Sequence, residues 1–187
     1  TKPVWNSSRL ISEQSVTGEL LYAVFGYEST PTIIQVVIYC LSLIAIGFAC
    51  LTFAFLQSDL TVKLVAMHSH ASKPFIYKLT GVWGNHEGSI LLWVLIMAGF
   101  GAAFTIFPSP LGLEFKARVS AIMGGLSVAF LGFILATSNA FERLYPAADY
   151  GQGLNPLLQD LGLAIHPPML YIGYVGFAIP FAFAVAG

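Results

Sequence analysis

Charge is what this sequence is short of. Asp, Glu, Lys and Arg make up 9% of its 187 residues, against about 25% in soluble domains, and that excludes a soluble globular fold. Four apolar runs hold no Asp, Glu, Lys, Arg or His at all: residues 33–56, 90–107, 119–137 and the stretch from Pro167 to Gly187. Ion pumps and secondary transporters keep ionisable groups inside their spans, because a charge in the membrane is costly and is retained only for a pathway or relay. Spans without such groups read as scaffold, which argues against a transporter and leaves the chemistry to the loops. Cysteine is scarce as well. Cys40 and Cys50 stand ten residues apart in the first run, about 15 Å along a helix, too far for a disulfide. They match neither a C-x-x-C redox site nor a metal pair and read as small buried apolar residues. Internal repeats, low-complexity tracts and a separate soluble domain are absent. The net charge of −1 suggests no nucleic-acid partner.

What the chain has is apolar length. It is 57% hydrophobic with a mean hydropathy of +0.79, and each run is long enough, or nearly so, to cross the roughly 30 Å hydrocarbon core. The fold class predicted is all-α, a polytopic transmembrane helix bundle of about four spans with interfacial loops. Residues 1–31, carrying Lys2, Arg9, Glu13, Glu19 and Glu28, form an amino-terminal surface arm, and residues 32–187 a membrane domain spanning at about 33–56, 90–107, 119–137 and 167–187. Gly99, Gly101, Gly124, Gly125, Gly173 and Gly176 are expected to let helices approach closely. The chain begins at Thr1 without an initiating methionine, as a processed or incomplete chain would.

Four spans place residues 57–89 and 138–166 on one side of the membrane, and His68, His70, His86 and His166 all fall there. Basic residues do not orient the chain: Lys2, Arg9, Lys116 and Arg118 lie on one side, Lys63, Lys73, Lys78 and Arg143 on the other. The short 108–118 connection is the more densely basic, which favours the histidine face outside. Alternation over Asp59–Val65 predicts a short extended segment at the interface, followed by Phe75, Tyr77 and Trp83, which favour the boundary of lipid and water. This loop ends in Trp83-Gly84-Asn85-His86-Glu87-Gly88-Ser89. Ser89 suits the N-cap of the next span, and the two glycines let the backbone turn tightly or approach a ligand.

The other loop runs Asn155-Pro156-Leu157-Leu158-Gln159-Asp160-Leu161-Gly162-Leu163-Ala164-Ile165-His166-Pro167-Pro168-Met169. Pro167 and Pro168 suit the first turn of a helix, where the missing donors would be unpaired anyway. The residue before a proline is pushed toward extended geometry, so His166 is predicted just outside the helix, near headgroup level. Neutral imidazole is a common ligand for iron, and two such rings above and below a porphyrin make a haem site. His166 is then either a metal or haem ligand, or a residue at the helix mouth bonded to a loop carbonyl. His86, beside Glu87, is a second ligand or a loop brace. His68 and His70 form an H-x-H pair that reads as solvated.

The segment Val82–Val94, with Asn155–Asp160 and Ile165–Phe177 in the same order and separation, resembles the amino-terminal part of the cytochrome c-type haem lyase, maturation protein F of the multi-subunit cytochrome c assembly pathway. The resemblance extends over most of residues 33–187, including Thr137-Ser138-Asn139 and Phe141. It implies covalent thioether attachment of haem, haem b as substrate, to the C-x-x-C-H cysteines of apocytochrome c, with haem arriving from a membrane-anchored haem chaperone. His166 matches the first of two external histidines that serve as axial haem ligands, and Trp83, His86 and Tyr171 are expected haem surroundings. The family's second external histidine, its two membrane histidines and its tryptophan-rich haem-binding signature have no match up to Gly187. A further apolar span that begins family members is not seen in residues 1–31.

The chain is therefore expected to be incomplete on its own, either a piece of a split lyase, as in mitochondria that retain the pathway, or part of a longer protein. Its expected partners are a complementary lyase chain carrying the tryptophan-rich domain, the haem chaperone, apocytochrome c and membrane lipid. The expected location is an inner membrane, mitochondrial ahead of bacterial, with the histidine loops on the intermembrane or periplasmic side. The alternative function is a structural subunit of a larger respiratory membrane assembly, derived from such a lyase.

Overall fold

A computed structural model describes residues 3–25, 28–107 and 110–187. Lys2 and the first two residues of the 108–118 connection lie outside that set. The described chain is helical, with extended pairing confined to two isolated bridges, Pro3 with Thr32 and Val62 with Arg143. Its helices are α1 (Val16–Phe25), α2 (Ile33–Gln57), α3 (Lys63–His68), α4 (Phe75–Gly81), α5 (His86–Ile106), α6 (Leu113–Thr137), α7 (Leu161–Gly176) and α8 (Ala178–Ala186), with a 3₁₀ turn at Pro156–Gln159.

Four segments are long and apolar enough to cross a membrane: α2, α5, α6, and α7 with α8 together. The expected all-α membrane bundle stands. Between 11% and 28% of each span is buried in the protein, so the remaining surface faces lipid or further protein. The most buried is α5, which touches α2, α6, α7 and α8. On one flank Met97 packs with Val119, Met123, Val175 and Ala182; on another Val94 packs with Ile44 and Ile134. The last span is broken at Phe177, between α7 and α8. Pro180, four residues after Gly176, cannot donate to that carbonyl and crowds it.

Local capping moves the predicted starts. A capping box fixes α2: Thr32 Oγ1 accepts from Gln35 N–H, and Gln35 Oε1 accepts from Thr32 N–H at 2.7 Å. The α5 cap is Asn85, whose Oδ1 accepts from Gly88 N–H at 2.7 Å, while Ser89 is already inside the helix and donates back to His86 O at 2.9 Å. The third span begins at Leu113 rather than residue 119, so Glu114, Lys116 and Arg118 ride on its first turns, with Arg118 and Glu114 paired at 2.5 Å. The last begins at Leu161 rather than Pro167, because Asp160 caps it by accepting from Leu163 N–H at 3.1 Å. The helices thus extend past the apolar runs into charged and histidine-bearing sequence.

Three further expectations are corrected. The extended reading of Asp59–Val65 holds only at Val62, since Lys63 starts α3, where Leu64, Val65 and Ala66 are buried in succession. Cys40 and Cys50 are free thiols, exposed rather than buried, and Cys40 lines a cleft between α2, α5 and α6. A Cβ added at Gly99, Gly124, Gly125 or Gly173 would meet nothing within 4 Å, and only Gly101 and Gly176 have a neighbour, at 3.7 Å. Of these six glycines, Gly101 lies against Met123 of α6 and Gly176 against Phe100 of α5, and the other four meet no helix.

Candidate functional site

The two connections on the histidine side are joined along their length. Lys63 N–H donates to Glu142 O at 2.9 Å and Leu144 N–H to Thr61 O at 2.8 Å, with Lys63 Nζ on Glu142 Oε2 at 3.0 Å outside them. Farther on, Gln152 N–H donates to Ala66 O at 2.7 Å and Gly153 N–H to Ser69 O at 3.2 Å. Only glycine fits at 151, where a Cβ would lie 1.9 Å from Ser69 O. Beside Gly153, which holds φ +91, Lys73 Nζ is covered. Loss of hydration there lowers the Lys73 pKa from its ordinary 10.5.

Asp59 ties the same loops together at the exposed edge. It accepts from Thr61 Oγ at 2.6 Å and from Thr61 N–H at 3.1 Å, and Arg143 Nη1 reaches its other oxygen at 3.1 Å; Arg143 also donates to Thr61 Oγ1. These bonds, led by the Thr61 hydroxyl, hold the Asp59 carboxyl below its ordinary 3.8. A carboxylate depressed on folding stabilises above its unfolded pKa and loses that contribution as pH falls through the folded one. Wild type is therefore expected to lose thermal stability more steeply than Asp59→Asn below about pH 3.8. Parallel curves for the two proteins in that range would remove Asp59 as a tie.

The His86 loop is rigid for steric reasons. Asn85 Nδ2 donates to Gly81 O at 2.7 Å and to Val82 O at 3.2 Å, while its Oδ1 caps α5. Gly88 lies so close that a Cβ would stand 1.7 Å from Val82 O. At Gly84 a Cβ would meet Leu154 Cδ1 at 2.9 Å, because the 154–158 segment packs onto the turn. Trp83, packed against the core formed by Leu51, Phe55, Val65 and Val82, turns its indole toward α7 and donates from Nε1 to Ala164 O at 2.8 Å.

His166 does not stand outside the helix as predicted. It lies in the second turn of α7 with Pro167 and Pro168 also inside, because the Asp160 cap starts the helix earlier than the prolines. Its ring is exposed and has no hydrogen-bond partner among the described residues. The alternative of a bond to a loop carbonyl is therefore not realised. His86, the first residue of α5, is likewise exposed with a free ring. The other two rings are occupied: His68 Nδ1 bonds Leu64 O at 3.1 Å, and His70 Nδ1 accepts from Ser72 N–H at 3.2 Å and pairs with Ser72 Oγ at 2.8 Å. The four histidines thus divide into two whose rings are bonded to nearby groups and two that face outward. No group of three or more His, Cys, Asp or Glu able to hold a metal ion occurs among the described residues.

Around His166 the helix surface is apolar. Leu163, Met169 and Leu170, at i−3, i+3 and i+4, share its face and are exposed, Met169 by 63%. At i+7, Gly173 adds no side chain. The result is a flat apolar strip with one imidazole in it. Tyr171 is not on that strip. Five residues on, about 140° around the helix, it packs toward Val175 and the α5–α6 core. The Trp83–Ala164 bond joins the segments of His86 and His166, three residues from one and two from the other. Sequence reasoning missed that acceptor, although two prolines inside a helix imply carbonyls without donors. A cleft of about 550 Å³, lined by Ile33, Cys40, Gly101, Ser120 and Gly124, lies between α2, α5 and α6 toward their opposite ends.

A family profile described as "Cytochrome C assembly protein" matches residues 83–187, from Trp83 through the whole His166 helix. The chain belongs to the cytochrome c assembly protein family. It is 60% identical over 144 residues to the cytochrome c-type biogenesis protein ccl1 of Rhodobacter capsulatus, covering 77% of this chain and 22% of that protein. To CycK of Rhizobium meliloti it is 56% identical over 147 residues, 79% of this chain and 22% of the relative. To CcmF of Escherichia coli it is 52% identical over 144 residues, 76% and 22% respectively. The chain thus spans about 22% of the length of these assembly proteins. All three are bacterial, and the mitochondrial preference gains no support from them. No solved structure matches significantly.

Proposed function

We propose that this chain forms part of a cytochrome c haem lyase and that His166 is an axial ligand of the haem it presents. The observation that carries this reading is the exposed ring of His166, without a partner among the described residues, on the apolar strip of α7. A polar ring left unbonded in a membrane helix is costly and is kept for function. Neutral imidazole binds haem iron, and Leu163, Met169 and Leu170 offer the macrocycle an apolar bed.

Thioether formation itself needs no oxidant. A cysteine S–H adds across a haem vinyl group, the sulfur bonding one carbon and the hydrogen going to the other. The protein's share is then to hold vinyl and thiol together, which makes a bimolecular addition effectively intramolecular, while haem supplies its own reactivity. Haem is the substrate, apocytochrome c the acceptor and a haem chaperone the donor. A complementary chain or segment with the tryptophan-rich domain completes the site from the largely uncovered outer surfaces of the spans. Their setting is the bacterial inner membrane with the histidine loops on the periplasmic side. A purely structural subunit would be expected to tie up its histidines as His68 and His70 are, and the free rings favour the lyase.

The test is a visible spectrum of the complex isolated from its native membrane, wild type against His166→Ala, with covalent cytochrome c followed in the same cells. Losing residues that merely orient a metal ligand costs 10–100-fold, so loss of the ligand itself is expected to cut holocytochrome c by at least about a hundredfold. Unchanged haem content and unimpaired maturation would reduce the chain to scaffold.

A further inference from the structure

Pro168 lacks the N–H that would donate to Ala164 O in an unbroken α-helix, and its ring pushes that carbonyl off the helix axis. Ala164 is 3% exposed, so water does not fill the vacancy, and a buried carbonyl without a donor is costly. The donor that reaches it is the Trp83 indole N–H, at 2.8 Å and from 81 residues away. We propose that Trp83 is a positioning residue: it replaces the backbone donor missing at Pro168 and thereby fixes the helical turn that carries His166 against the loop that carries His86. This rests on the reading of His166 as a haem ligand.

The pieces around the bond fit that role. Trp83 is anchored on its inner side by the Leu51–Phe55–Val82 core. It is followed by a turn that admits only glycine at 88 and is crowded at 84. A fixed indole thus meets a helix that two prolines leave short of donors, and His166 sits between Ala164 and Pro168 within one turn. A prolyl pair removes two backbone hydrogen bonds from the turn, whereas a ligand must be held to within about half an ångström to bind in one orientation.

The exchange of one donor for another supplies the test. The complex isolated from its native membrane is compared as wild type, Trp83→Phe, Pro168→Ala and the double variant, with haem affinity and Soret position as one readout and the thermal midpoint as the other. Phe keeps the packing and loses the donor, and Ala at 168 restores the backbone N–H. Trp83→Phe alone is expected to weaken haem binding about tenfold and to lower the midpoint, as loss of one buried hydrogen bond does. The double variant is expected to recover the midpoint, since the carbonyl is again paired, yet to bind haem about tenfold more weakly than wild type, since the indole tie to the His86 loop is still absent. If its midpoint is no better than that of Trp83→Phe, the donor replacement is wrong; if its haem affinity returns to that of wild type, the tie does not position His166. If the midpoint recovers but Trp83→Phe binds haem as wild type does, the bond is only structural and the positioning role falls, with the lyase reading intact. A His166→Ala protein that keeps its haem overturns the lyase reading, and the positioning role with it, whatever the midpoints show.

Discussion

Replacing Gly88 by alanine is expected to destabilise the protein by about 3 kcal/mol, while the same change at Gly99 leaves it unharmed or about 0.5–1 kcal/mol more stable. At Gly88 the added methyl would stand 1.7 Å from Val82 O and 2.9 Å from its carbon. That obstacle is backbone, so it cannot rotate away as a side-chain end would. Nor is it free to drift, because Val82 O accepts from Asn85 Nδ2 and the same asparagine caps Gly88 N–H. The α5 start, the Asn85 cap and the Trp83 turn must shift together. At Gly99 the methyl meets nothing within 4 Å, and only the helix preference for alanine remains. Unfolding midpoints of both variants in mixed micelles decide the matter. Equal midpoints would mean that the Trp83–Gly88 turn is more compliant than its geometry indicates. If His166 ligates haem, the Gly88 variant should also lose haem-dependent absorbance, since the disturbed turn carries His86 and the Trp83 indole that bonds the His166 segment.

The bundle was legible in the sequence because hydropathy and run length belong to each segment alone. Each span holds one of the apolar runs, with its ends set by capping, and the shared side of the two loops follows from an even number of crossings between them. What was not legible depends on two segments at once, or on which polar residue wins a helix start. Asn85 caps a helix that opens on the polar run His86–Ser89, and Asp160 caps one that continues through His166 and both prolines. That carried His166 inside the last span, where a proline rule applied to Pro167 alone had left it outside. Whether a span glycine meets a neighbour depends on how its helix is rotated, and the glycine spacing carries no record of that rotation. At the site, the residue types pointed to His166 and His86 as candidates. The sorting that leaves these two rings free and binds His68 and His70 comes from Leu64 O and Ser72, which no motif marks. Trp83 was expected beside the haem, and the structure shows its N–H committed to Ala164.

The second large effect belongs to His166 and separates ligation from support. His166→Gly is expected to abolish the ligated haem spectrum, and millimolar imidazole is expected to restore it, with at least part of cytochrome c maturation. Rescue of this kind requires that a free ring can reach the vacated place and that nothing else depended on the side chain. Both conditions hold: the His166 ring is exposed and makes no hydrogen bond within the described residues, so exogenous imidazole has no lost partner to replace. Glycine in the second turn costs the helix about 1 kcal/mol relative to alanine, so His166→Ala with imidazole serves as the stability control. A structural role for His166 predicts loss that imidazole leaves untouched, and that outcome would end its assignment as a ligand. Rescue by a small diffusible ring would instead show that α7 offers haem one removable bond on an apolar bed. Such a bond suits a substrate that must be handed on, because a ligand held by no second partner can give way to the histidine that the receiving cytochrome supplies.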